Sequence, residues 1–143
     1  MKKQIANYQV SLKAILKNSA WETLILKEPE ESYATYWKYD FPGWRIDEDE
    51  FEVHYLDILR REIKEELWEK IKVELSKKPV AIWRHKSSHN IVFYVVFEWN
   101  ILNEDIEISF EHNDFEFVKL EEIILEDYFK SWMLEVAKMY LWK

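Results

Sequence analysis

A chain of 143 residues is long enough for one domain with a single sizeable core, and without cysteine it forms neither disulfides nor a thiolate metal site. A net charge of −8 argues against broad nucleic-acid binding, which depends on clustered Lys and Arg. Apolar residues make up 48% and charged residues 34%, and no apolar run approaches the roughly 20 residues of a membrane-spanning helix. The expectation is one soluble cytoplasmic domain over 1–143, a monomer or homodimer, with no signal peptide, membrane partner or nucleic-acid partner.

Tyr8, Val10, Leu12, Ala14 and Leu16 alternate, which predicts a half-buried first strand. A turn over Lys17–Trp21 and a second strand over Glu22–Lys27 complete a hairpin. Glu28–Lys38, with Pro29, Tyr33 and Tyr36, reads as a loop. Together with nearby Tyr39, these tyrosines either stack on a base or pack at the rim of the core. Tyr55–Leu67 carries the clearest helical pattern, with Leu56, Leu59, Ile63 and Leu67 on one stripe. Ile71–Leu75 and Val80–His85 predict strands around a Lys77-Lys78-Pro79 turn. Ile91–Phe97 is almost continuously apolar and predicts a central strand covered on both faces. Shorter strands follow at Ile106–Phe110 and Phe115–Val118. From about Leu120 the chain reads as helical, with Met133, Val136, Ala137, Tyr140 and Leu141 on its apolar face. Strands, helix, strands, helix is the order of a mixed sheet packed against helices, an α/β protein.

The chemistry-bearing residues lie on the first helix. Glu62, Glu65 and Glu66 are spaced by three and four residues, so their side chains share an arc beside the apolar stripe. Like charges so placed repel unless a cation lies among them, and hard oxygen donors favour Mg²⁺ or Mn²⁺ over zinc. A solvated acidic surface is the commoner meaning of such spacing. Arg61 precedes Glu65 by four residues and is placed to hold one carboxylate. His85, Lys86 and His89 flank a polar turn and either contact a phosphate or base or belong to an exposed loop. Arg45 either reaches a phosphate or pairs with a carboxylate. The four histidines show no zinc spacing.

The wider context is Pro42-Gly43-Trp44-Arg45-Ile46-Asp47-Glu48-Asp49-Glu50, followed by Arg61-Glu62-Ile63-Lys64-Glu65-Glu66-Leu67-Trp68. This resembles the signature of the Nudix hydrolases, with Glu50, Arg61, Glu62, Ile63, Glu65 and Glu66 matching residue by residue. Three features depart from that signature. Tryptophan stands at both glycine positions, 44 and 68; ten residues separate Glu50 from Arg61 where the signature has fewer; and the following aliphatic position is shifted to Ile71. The resemblance implies an α/β/α sandwich with a mixed sheet between helices. It also implies a pyrophosphohydrolase that cleaves the diphosphate linkage of a nucleoside diphosphate derivative with Mg²⁺ or Mn²⁺. By the same resemblance Glu62, Glu65, Glu66 and a later acid, Glu111, are the metal ligands, with Glu116 in reserve. Glu65, Glu66 and Arg61 serve the catalytic step, and Arg45, His85 and Lys86 contact the nucleotide. A non-catalytic nucleotide-binding or regulatory module on the same fold is the alternative.

The chain has one glycine and eight tryptophans, where average usage gives about 10 glycines. Trp21, Trp37, Trp44, Trp68, Trp99 and Trp132 occupy sequence positions suited to glycine. A UGA codon read as glycine in the source, deliberate substitution, or a tryptophan-rich lineage each accounts for this, and the gene's codons decide among them. The expectation is left-handed strain at Trp44 and Trp68.

Overall fold

The computed structural model describes residues 3–27, 38–103 and 114–142. The tyrosine-bearing loop up to 37, the Ile106–Phe110 strand, Glu111 and His112 lie outside them.

The first strand, β1 (Gln9–Lys17), turns through 18–22 into β2 (Thr23–Lys27). Asn18 builds that turn. Its Oδ1 accepts the N–H groups of Ala20 (3.0 Å) and Glu22 (2.9 Å), and its carbonyl accepts that of Trp21 (3.1 Å). Trp21 closes the turn at φ 63° with its ring 68% exposed, so a side chain that gains little from burial sits in left-handed backbone. Trp21→Gly is therefore expected to raise stability by about 1 kcal/mol, seen as a higher urea midpoint at unchanged slope.

The hairpin pairs only at its base, Lys17 with Thr23, and then splays. The gap is filled by β3 (Tyr39–Asp40), which pairs with β2, and β4 (Gly43–Arg45), which pairs with β1. Helix α1 (Tyr55–Glu66) follows, then the short β5 (Val73–Glu74), β6 (Pro79–Lys86) and the long β7 (Ile91–Ile101). β8 (Asp114–Val118) joins the outer edge of β2, and two helices close the chain, α2 (Leu125–Tyr128) and α3 (Ser131–Leu141). Among the described residues the strands form one eight-stranded mixed sheet. β1 and β7 run parallel at its centre from Gln9–Val92 to Lys17–Asn100, while the other pairs are antiparallel.

Two apolar layers hold this sheet between helices. On one face Leu56, Leu59, Ile63 and Leu67 of the α1 stripe pack on Leu12, Ala14, Leu16, Leu24, Leu26, Phe97 and Trp99. On the other, Met133, Val136 and Ala137 of α3 pack on Ile15, Ile25, Val92, Tyr94 and Val96. The first strand is thus buried on both faces, and the expected half-exposed strand is corrected: Ser11, Lys13, Ile15 and Lys17 are covered as well. Parallel pairing with β7 makes β1 central, which its own alternation does not reveal.

The strain expected at Trp44 and Trp68 is absent. Among the described residues only Trp21, Ser131 and Gly43 have positive φ. Trp44 lies in β4 with its ring 58% exposed, and α1 ends at Leu67 in right-handed geometry. Trp99 is interior to β7, fully buried, and donates its indole N–H to the carbonyl of Ser76 at 3.1 Å. The position that requires glycine is Gly43, at φ 131°, where an added Cβ would meet the Leu12 carbonyl oxygen at 2.0 Å.

Candidate metal centre on the first helix

The splayed hairpin brings the Pro42–Arg45 segment onto the end of α1. The backbone N–H of Gly43 donates to Glu66 Oε1 at 2.8 Å, so Glu66 is buried and turned toward β4. The start of α1 is fixed by His54, whose Nδ1 accepts the N–H of Leu56 at 3.1 Å. His54 is thus the helix N-cap.

Glu50 enters from the 3₁₀ turn Glu48–Glu50. It is buried, and its Oε1 accepts the N–H of Asp47 at 2.9 Å. Its enclosed Oε2 lies 2.7 Å from Arg61 Nη1, an ion pair without hydrogen-bond alignment. Arg61 also reaches Glu62 Oε1 at 2.8 Å and Glu65 Oε1 at 3.5 Å. One guanidinium thus gathers three carboxylates, where the helical spacing led to an expectation of one.

These contacts set the protonation balance. The Asp47 N–H, and secondarily Arg61, hold the Glu50 carboxyl below its ordinary value against the opposing effect of burial. Glu50 therefore contributes stability that is present above the ordinary carboxylate range and is lost as pH falls through its lowered value. Glu50→Gln is expected to remove part of the acid-side loss of stability, measured by urea unfolding at a series of pH values below 5. Burial raises the Glu62 carboxyl instead; Arg61 opposes the shift, and the charges of Glu65 and Glu50 add to it.

Lys13 was not anticipated. It is buried, and its ammonium donates to Asp40 Oδ2 at 2.8 Å, the Phe41 carbonyl at 3.1 Å and the Gly43 carbonyl at 3.3 Å. Burial by itself would lower it, but Asp40 and the charge of Glu66 outweigh that and hold it above its ordinary value. The sequence offered no signal for it, because Lys13 shares with Ser11 the parity that the alternation assigns to the exposed face.

The other candidates lie elsewhere. Arg45 sits on β4 over the Trp44 ring (5.9 Å to its centre) and lines an open groove of about 660 Å³ with Tyr8, Gln9 and Ile46. His85, near the end of β6, packs on Trp132 of α3 at 4.0 Å, so it belongs to the face opposite α1; burial lowers its imidazole. Lys86 is exposed at the last position of β6. Tyr39 donates its hydroxyl to Glu116 at 2.8 Å; burial and that bond push its phenol up to about 12. Glu116, the reserve ligand, is thereby engaged on β8. Among the described residues no three acid or imidazole side chains converge as a ready-made metal cage.

The oxygen-only donor set nevertheless suits a hard divalent cation. Glu50 Oε2 faces the Arg61 guanidinium at 2.7 Å, so its charge is already countered; Glu62, whose charge burial penalises, is the carboxylate that a further cation would relieve.

The layered architecture is the fold of the Nudix hydrolases. The chain is similar in structure to the MutT protein of Methanosarcina mazei, with a TM-score of 0.78 at 22% identity over 96% of each chain. It is also similar to a MutT Nudix hydrolase of Burkholderia pseudomallei, with a TM-score of 0.68 at 12% identity, covering 94% of this chain and 97% of that one. An ADP-ribose pyrophosphatase of Streptococcus suis gives 0.64 at 20% identity, covering 94% and 90%. No family model and no curated protein sequence matches the chain. No helix among the described residues is long and apolar enough to cross a membrane.

Proposed function

We propose that the protein is a divalent-metal-dependent hydrolase that cleaves the diphosphate linkage of a nucleoside diphosphate derivative. The observation that carries this reading is the acidic face of α1: Arg61 gathers Glu62 and Glu65 with buried Glu50, and Glu66 is held by the Gly43 N–H. It belongs to a signature and a fold that both resemble the Nudix hydrolases. Glu62, Glu65 and Glu66 would hold Mg²⁺ or Mn²⁺, with Glu111 completing the set from outside the described residues. Such an ion supplies charge neutralisation for the phosphate oxygens and acidifies bound water.

The protein's own groups do the rest. Water adds to one phosphorus as the bridging P–O bond breaks, and the products are two phosphate species. Glu65 is exposed and free of the Gly43 contact, so it is the carboxylate open to accept the water proton. Glu66, held by Gly43, keeps a fixed position. Arg61 holds Glu50, Glu62 and Glu65 in register. The substrate is a small nucleotide: a nucleoside triphosphate, dinucleotide or nucleotide sugar. Arg45, which lines the groove next to β4, would contact its phosphates, whereas His85, packed on Trp132, and the adjacent Lys86 lie away from the α1 face. Action in the cytoplasm, as a monomer or homodimer, completes the proposal.

The test is nucleotide or phosphate release from a panel of such substrates, with Mg²⁺ and with chelator. Glu66→Gln retains an oxygen for the Gly43 N–H while removing the charge. It is expected to lower turnover by about 100-fold or more with the fold intact. Undiminished turnover would remove this mechanism. One observation favours a second reading, a non-catalytic nucleotide-binding module: Arg61 engages the carboxylates that the reaction needs. Nucleotide binding without release of product under any metal condition would select it.

A further inference from the structure

Lys13 is a full positive charge placed under the same site from a different element. Its ammonium donates to the carbonyls of Phe41 and Gly43 and pairs with Asp40, so it clamps the 40–43 segment from beneath. The other side of the Gly43 residue, its N–H, holds Glu66 Oε1. The chain of contacts from Lys13 through Gly43 to Glu66 is made of one ammonium and one glycine, both buried. The Gly43 N–H lies in the Pro42–Gly43 peptide, whose carbonyl accepts the Ala14 N–H at 2.9 Å, and Lys13 holds the peptides on either side of it through the Phe41 and Gly43 carbonyls.

We propose that Lys13 is a positioning residue for the metal centre: through Gly43 it fixes the Glu66 carboxylate, and it sets the affinity of that centre for a divalent cation. This rests on the metal-dependent reading above. A carboxylate prepositioned by a buried contact gives up less freedom when it binds a cation, the same logic by which outer groups orient ligands at metal sites. Charge alone predicts the opposite, because removing an ammonium near Glu66 would strengthen cation binding. The two effects therefore differ in sign, and the measured direction decides between them.

The experiment is Mn²⁺ binding to the intact chain, read by electron paramagnetic resonance of the free ion, with no substrate present. Lys13→Met is measured at a temperature where circular dichroism shows it folded. It is expected to bind Mn²⁺ about 10-fold or more weakly than the parent. Unchanged or tighter binding in the folded variant overturns the proposal. Should Lys13→Met not fold, Asp40→Asn serves. It keeps an acceptor for Lys13 but leaves Glu66 as the remaining charged neighbour, so the ammonium is drawn from the 40–43 carbonyls. Weaker Mn²⁺ binding supports the proposal, and equal affinity overturns it. A parent protein that binds no Mn²⁺, with unchanged Zn²⁺ and Mg²⁺ controls, fails the metal-dependent reading itself and is distinguishable from both.

Discussion

Gly43→Ala is expected to cost about 3–5 kcal/mol, combining left-handed strain with overpacking against backbone. The clash partner is the Leu12 carbonyl in the central strand, which cannot rotate away as a flexible side chain does. Relief requires β4 to move off β1, breaking the Ser11–Arg45 and Lys13–Gly43 register and withdrawing the N–H that Glu66 accepts. A loss of that size is a large share of a typical domain's stability of about 5–15 kcal/mol. Urea unfolding of the variant checks it. A cost below about 1 kcal/mol would mean that β4 is not wedged between the splayed hairpin arms as described.

Lys13→Met is expected to lose a similar amount, about 3–5 kcal/mol. The variant leaves the nearly buried Asp40 carboxylate without its 2.8 Å partner and strips two buried carbonyls of a donor. An apolar replacement of both members, Lys13→Met with Asp40→Leu, should recover part of the loss, because paired burial of charge is itself costly. Recovery should remain incomplete, since the Phe41 and Gly43 carbonyls stay unsatisfied. A single variant as stable as the parent would contradict the buried pair. Denaturation midpoints of the three proteins suffice.

Much of the architecture was legible in the sequence because periodicity reports burial. The α1 stripe, the β1–β2 hairpin and the apolar run of β7 were each readable from their spacing, as was the apolar face of α3. Segments too short to show a period were not readable: β3 and β4 have two and three residues, and they pair with strands distant in sequence. The tryptophans illustrate the same limit. Their sequence positions treat Trp44 and Trp68 as strained, yet backbone angles single out Trp21 alone among the seven tryptophans of the described residues. Trp99 and Trp132 are packed against neighbours and are not turn residues.

For the site, the sequence by itself determined the carboxylates of α1 and their shared arc, because helix geometry converts spacing of three and four directly into proximity. It also determined the oxygen chemistry that suits a hard cation. Only the tertiary structure decided that Arg61 would gather Glu50 with Glu62 and Glu65, and that Glu66 would turn inward to Gly43. It alone placed His85 on the α3 face and Lys13 beneath the Gly43 segment that holds Glu66. The physical reason is that these contacts cross from one element to another. Such contacts depend on how a splayed hairpin is filled, and no local pattern of residues encodes that.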